Sequence, residues 1–317
     1  MTAQQRYRTQ RLAVNGLPGV GTSTVAAALT ATGRFSLVGC DANTGAGLEA
    51  DVTVRVIAEA VKPEDRESIA GVAGPVLMVL TKADVCGLGP GGPLAAAQRR
   101  CTELAASAGV PVVPMVGLLA VAGLDSEVLD GELLAALRVL VSEPADLRTA
   151  ATFVSEPHPV AAAVRQRLIE TLEVFGVAHA VLAMRRPAAT GSDVRATLCR
   201  VSGIDAVVAA IVAAGAPARY RRLLAETAEL EGAAVRDAAV ADRLSGDALV
   251  LTRMDAALEV MRAAGLAVDD EVEADGSALL ARAVRWQRYG AGPVSALHGA
   301  CAADITRGSL RLWDLAR

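Results

Sequence analysis

The chain has 317 residues, 53% of them hydrophobic but only 3% aromatic, with a formal net charge of −4. That length accommodates one large domain with an appendage, or two domains, and the composition asks for a core of Ala, Val and Leu, as in packed helices and buried parallel strands. The charge gives no reason to expect nucleic acid, and no apolar run reaches the roughly 18 residues of a membrane span.

The longest apolar runs, 112–122 and 207–214, are shorter than that or carry proline. Residues 1–10 are polar and lack the apolar stretch of a signal peptide. Five scattered cysteines (Cys40, Cys86, Cys101, Cys199, Cys301) have no metal-ligand spacing with the three histidines. Together these features predict a cytoplasmic protein with reduced thiols.

In chain order, 12–14 predicts a short strand running into the glycine-rich turn Gly16-Leu-Pro-Gly-Val-Gly21 and then an alanine-rich helix over 22–32. A second strand, 35–40, ends at Asp41, and 42–50 reads as a loop or a loose helical turn. The β-branched run 52–57 predicts a buried strand, followed by a helix over 63–70. Pro75 introduces a strand over 76–80 that ends in Thr81-Lys82-Ala83-Asp84. A Gly/Pro-rich loop, 87–93, leads to a helix over 94–108 and a strand over 111–116. This alternation predicts an α/β fold with a doubly wound, mainly parallel sheet, whose ligands bind beyond the carboxyl ends of the strands. The glycine turn and Thr81–Asp84 both fall at such ends.

Residues 124–175 read as mostly helical with a break near 155–159. Val160, Val164, Leu168, Leu172 and Phe175 carry helical periodicity. A further strand is expected over 177–184, then helices over 192–201 and 204–214. Gly215 and Pro217 mark the expected boundary between an α/β domain, 1–215, and an all-helical domain, 216–317, with helices near 218–243, 247–264, 276–289 and 294–315. Arg219, Arg221 and Arg222 read as a solvated helix face, offset by Glu226, Glu229 and Glu231, in preference to a phosphate-binding patch.

Gly16 and Gly21 have the spacing of a phosphate-binding loop, G-x-x-x-x-G-K-[ST], whose glycines let backbone N–H groups surround an anion at a helix N-terminus. Ser23 then occupies the magnesium-ligand position, and Gly19, Thr22 and Thr24 complete the nucleotide-binding turn. The lysine that should follow Gly21 is Thr22. Two other readings stay open: a ligand-free strand-to-helix turn, and a dinucleotide-binding turn in which Asp41 would hold a ribose. The three hydroxyls opening the helix suit phosphate and Mg²⁺ better than close helix packing. Asp41 reads either as a second magnesium-site residue, acting through water, or as the closure of a local turn.

Thr81-Lys82-Ala83-Asp84 matches [NT]-K-x-D. A carboxylate in the last position accepts from guanine N1–H and the 2-amino group, a donor pair that adenine does not present. The lysine stem covers the base, and Thr81 ties the two loops together. The plainer reading is a polar strand end with a capping aspartate. Against it stand the apolar strand before the tetrapeptide, its position about sixty residues after the glycine turn, and the scarcity of lysine. Of 31 basic residues only Lys62 and Lys82 are lysines.

With both motifs present, the chain resembles P-loop GTPases of Ras-like fold and, beyond them, the bacterial dynamin-like GTPases of actinobacterial type. The resemblance spans roughly 10–230 and implies a third guanine-site loop at Gly117 and Leu118. It also implies GTP or GDP with Mg²⁺ as cofactors, a helical stalk after the GTPase domain, and action through a protein partner: a full dynamin-like GTPase or a second copy. Membrane association follows only from the likeness. The position of Asp41 is also similar to partition ATPases and metallochaperones.

The departures are specific. The phosphate-binding lysine is absent, and Asp41 does not open a D-x-x-G switch, because it is followed by Gly45 in place of a glycine at 44. Thr44 is the only threonine near a switch position, and ten residues between Asp41 and Val52 are too few for two switches. The expectation is a degenerate GTPase, binding guanine nucleotide weakly or hydrolysing it slowly. A phosphotransferase with a divergent loop and a structural adaptor with an empty site are the alternatives.

Overall fold

The computed structural model describes residues 9–38, 50–87, 89–234, 246–268 and 276–317. Cys40, Asp41, Thr44 and Gly45 lie outside these residues, as does the expected helical stretch 235–243.

The elements are β1 (Gln10–Gly16), α1 (Thr22–Ala31), β2 (Phe35–Leu37), β3 (Val52–Ile57), α2 (Pro63–Ala70), β4 (Val76–Leu80), a single 3₁₀ turn (Ala83–Val85), α3 (Gly92–Ala108) and β5 (Val112–Pro114). Helices follow: α4 (Gly117–Leu124), α5 (Gly131–Ser142), α6 (Ala150–Ser155), α7 (Ala162–Met184), α8 (Gly191–Ser202), α9 (Ile204–Ala234), α10 (Asp247–Ala263), α11 (Gly276–Gly290) and α12 (Ala296–Leu315).

The five strands form one parallel sheet in the order β2-β1-β3-β4-β5. The direction of winding reverses at β1, so its end at Gly16 stands at the switch point where doubly wound sheets hold ligands. β3 is buried along its whole length, as a central strand covered on both faces must be. Its residues divide by the period of two. Val52, Val54 and Val56 join Leu12, Val14, Leu77 and Val79 under α1 and α9, while Ile57 joins Met78 and Leu80 under α3. Arg55 lies on the second face and is only 4% exposed. Its Nε and Nη2 reach Asp65 Oδ1 at 2.8 and 2.7 Å, and its Nη1 reaches Asn15 Oδ1 at 3.2 Å.

Beyond the sheet, α4 to α8 share a core of Leu119, Leu133, Leu137, Phe153, Leu168 and Val177. The C-terminal helices pack around Tyr220, Met254, Trp286, Cys301 and Ile305. α9 belongs to two cores, with Ile204, Val207 and Ile211 against the sheet and Ala216, Tyr220 and Leu223 in the C-terminal helices.

Three local expectations change. Residues 177–184 are helix, not strand: Val177, Ala180, Val181 and Met184 are buried at a spacing of three, one and three, the periodicity of a helix face. Helices 204–214 and 218–243 begin as one continuous helix that passes through Gly215 and Pro217. Gly215 serves packing there, since a Cβ on it would stand 2.5 Å from Val52 Cγ2. The arginine stretch is a solvated face only at Arg221, which is exposed. Arg219 is buried and pairs with Glu259, and Arg222 grips Asp51 through Nε and Nη2 at 3.0 and 2.8 Å.

Among the described residues no single helix is long and apolar enough to cross a membrane. α8 and α9 reach such a composition only as a pair bent by 55°, and their apolar residues Leu198, Ile204, Val207 and Ile211 are buried.

Candidate functional site

The site begins where β1 stops. Gly16 passes so close to its neighbours that a Cβ would lie 2.8 Å from the Val56 carbonyl oxygen and 2.5 Å from Thr22 Oγ1. Gly19 and Gly21 are left-handed, with φ of 82° and 87°, which glycine adopts without steric cost. Such turns allow successive N–H groups to converge on an anion.

Thr22, standing where the lysine is missing, turns inward. Its Oγ1 is buried beneath the turn beside Gly16 with no hydrogen-bond partner among the described residues. Ser23 is exposed and, with Thr24, lines a groove against Glu170 and Thr171 of α7.

The end of β4 is bound to this turn. Thr81 Oγ1 donates to the Val20 carbonyl at 2.7 Å and lies 3.1 Å from the Ile57 carbonyl. Lys82 takes a left-handed φ of 54° and caps the 3₁₀ turn that carries Asp84. That conformation is uncommon outside glycine, and Asp84, two residues on, lines a cavity together with Thr24 of α1. Met115 N donates to the Leu80 carbonyl at 2.8 Å, and Val116 N to the Ser202 carbonyl at 2.8 Å. These bonds hold Gly117 at the N-terminus of α4, where a Cβ would stand 3.1 Å from Thr24 Cγ2.

The result is one cavity of about 160 Å³. Gly21 and Thr24 line it from the glycine turn, Thr81, Lys82 and Asp84 from the end of β4, Gly117 and Leu118 from α4, and Leu172 and Glu173 from α7. Gly16, Gly19, Thr22 and Ser23 are not in its wall. Pockets for whole drug-sized ligands run to roughly 300–1,000 Å³, so this hollow is sized for a ring system and not for a complete nucleotide. A second hollow, lined by Glu59, Cys86 and Arg100, lies on the other side of Thr81 and Lys82.

Glu173 is the residue that motif reasoning missed. It interrupts α7 with φ 52° and ψ 178°, a strain of order 1–3 kcal/mol for a residue other than glycine. Periodicity identified Leu172 as a core position, but nothing in the sequence marks the break one residue later.

Both carboxylates of the cavity are shifted upward. Burial pushes the Asp84 carboxyl above its ordinary range, against its own backbone N–H and Lys82, which pull it down. Glu173 is raised by burial and then by Asp84, with Lys82 opposing.

For a metal, the described residues offer no group of three or more His, Cys, Asp or Glu side chains. Ser23 faces the outer groove, and Asp41, expected to share the ion, lies outside the described residues. The described part of the turn therefore does not fit a magnesium site as it stands. Comparison of the chain with protein-family models, curated proteins and solved structures gives no match.

Proposed function

We propose that this chain is a degenerate GTPase of the P-loop, Ras-like type, which binds guanine nucleotide and turns it over slowly or not at all. One observation carries the reading: Asp84 and Gly21 line the same ring-sized cavity, and Thr81 bonds the two loops together through Val20. A carboxylate facing such a cavity selects a ring edge with two adjacent N–H donors, which guanine presents and adenine does not.

The phosphate end is weaker by the same reasoning. A charge-assisted hydrogen bond contributes about 1.5–3 kcal/mol, so an inward-facing threonine in place of lysine costs one to two decades of affinity. It also removes a charge that would oppose the negative charge developing in phosphoryl transfer.

The chain acts, in this reading, through a partner: a full dynamin-like GTPase or a second copy of itself. Calorimetry with GDP, GTP and ATP, with and without Mg²⁺, tests the proposal. GDP and GTP should bind, ATP should not, and Mg²⁺ should change little. ATP binding as tight as GDP binding would favour a phosphotransferase, and no binding at all would favour an adaptor.

A further inference from the structure

The cavity holds more acceptor capacity than one [NT]-K-x-D aspartate supplies. Asp84 arrives from the end of β4 and Glu173 from the middle of α7, 89 positions later in the sequence (173 − 84). α7 reaches the cavity through a break in its helical path at Glu173. Immediately before the break Leu172, only 1% exposed, supplies an apolar wall. The charged residues lining the cavity are Asp84, Glu173 and Lys82, with Lys82 acting on both carboxylates. Two carboxylates and one lysine leave the hollow net acidic, an environment that rewards a ligand rich in N–H donors and penalises one that presents carbonyl oxygens to it.

The chemistry of guanine divides between the two carboxylates. Its recognition edge carries three hydrogens, one on N1 and two on the 2-amino group. A single carboxylate has two oxygens and pairs with two of the three. We propose that Glu173 accepts the remaining 2-amino hydrogen, so that it is a second specificity-determining residue that reads the exocyclic amine while Asp84 reads the N1 side. The proposal rests on the guanine reading of the site and deepens it.

The 2-amino group can be removed from the ligand itself. IDP carries hypoxanthine, which keeps N1–H and the 6-oxo group but lacks the amine. GDP and IDP are titrated by calorimetry into the full chain and into Glu173→Gln, Glu173→Ala and Asp84→Ala, with circular dichroism verifying that each variant folds. The wild type should prefer GDP over IDP. Glu173→Ala should weaken GDP by about 5–20-fold, at and below the lower end of the range for bonds to charged groups because the site is open to solvent, and leave IDP unchanged. Glu173→Gln, which keeps an acceptor oxygen but not the charge, should fall between. Asp84→Ala should weaken both ligands.

A residue that only maintains the α7 break would shift GDP and IDP together. An unchanged GDP-to-IDP ratio in both Glu173 variants, with Asp84→Ala still losing GDP, overturns the role of Glu173 and leaves the guanine reading standing. A wild type that binds neither ligand overturns both.

Discussion

Thr22, Asp84 and Glu173 show how single side chains divide this site into two halves. The buried hydroxyl of Thr22 has no partner among the described residues, and such a group costs about 1–3 kcal/mol. Thr22→Val keeps the shape and removes the orphan, so chemical denaturation should show a gain of about 1 kcal/mol, with GDP affinity changed by less than a small factor. A large fall in GDP affinity would mean that the hydroxyl turns out to meet the phosphates. Gly16→Ala has the opposite sign. Its Cβ would meet Thr22 Oγ1, Val20 Cγ2 and the Val56 carbonyl, all within 2.8 Å, and overpacking of this kind costs about 1–3 kcal/mol.

The raised carboxyls of Asp84 and Glu173 predict a pH dependence. N–H donors bind the ionised carboxylates, so GDP affinity should rise with pH through the raised values and then level off. Titration calorimetry should find the fall on acidification beginning at a higher pH than ordinary carboxylates, near 4, would give. The same shift carries a stability sign. Acids whose folded values lie above their unfolded ones favour the native state at low pH, and that advantage is lost as pH rises through the folded values. Glu173→Gln should therefore be no less stable than wild type at neutral pH while binding GDP more weakly.

At the level of elements, β3 and α9 hold the frame on which the loops sit. Arg55 and Asp65 are both buried, at 4% and 2% exposure, and join β3 to α2 next to Asn15 of β1. Asp65→Ala leaves the guanidinium without its charge partner, and stability should fall by about 3–5 kcal/mol in denaturant unfolding. A loss under 1 kcal/mol would show that Asn15 and Ser68 suffice to hold Arg55.

The strands over 52–57 and 76–80 were legible because each is a short run of apolar residues between turn residues, and so were the boundaries of α2, where Pro63 starts the helix and Asp65 caps the Lys62 N–H at 2.9 Å. The stretch 177–184 was not. Its alanines and valines suit a buried strand as well as a buried helix, and the deciding fact is what shares its core: Val177, Ala180, Val181 and Met184 join Leu119, Leu133, Val194 and Leu198 of the neighbouring helices. Gly215 and Pro217 look like a break, but the helix crosses them because its glycine is needed against Val52.

For the molecule as a whole, α9 binds the α/β layer to the C-terminal helices. In its middle Arg222 pairs with Asp51, which is also held by the Arg11 N–H at 2.8 Å. Two residues earlier Tyr220 donates to the buried Asp304 at 2.7 Å, where Arg253 also pairs. A shared 31-residue helix predicts cooperative unfolding. Trp286 and Trp313, the two tryptophans, both lie in the C-terminal helices, so their fluorescence should melt together with the far-ultraviolet dichroism of the whole chain. An earlier fluorescence transition would show that the C-terminal helices unfold alone.

The glycine turn and Thr81–Asp84 were readable at a distance because each follows fixed residue types at fixed spacing. Glu173 was not, because its place in the cavity depends on how α7 crosses the site. The most direct test of retained base recognition beside an altered phosphate turn is the ratio of GDP to ADP affinity in wild type and in Asp84→Ala. Two hydrogen bonds to a charged acceptor predict a wild-type preference for GDP of about tenfold or more, collapsing to near unity in the variant. Equal affinities in the wild type, or a preference that survives Asp84→Ala, would contradict the account.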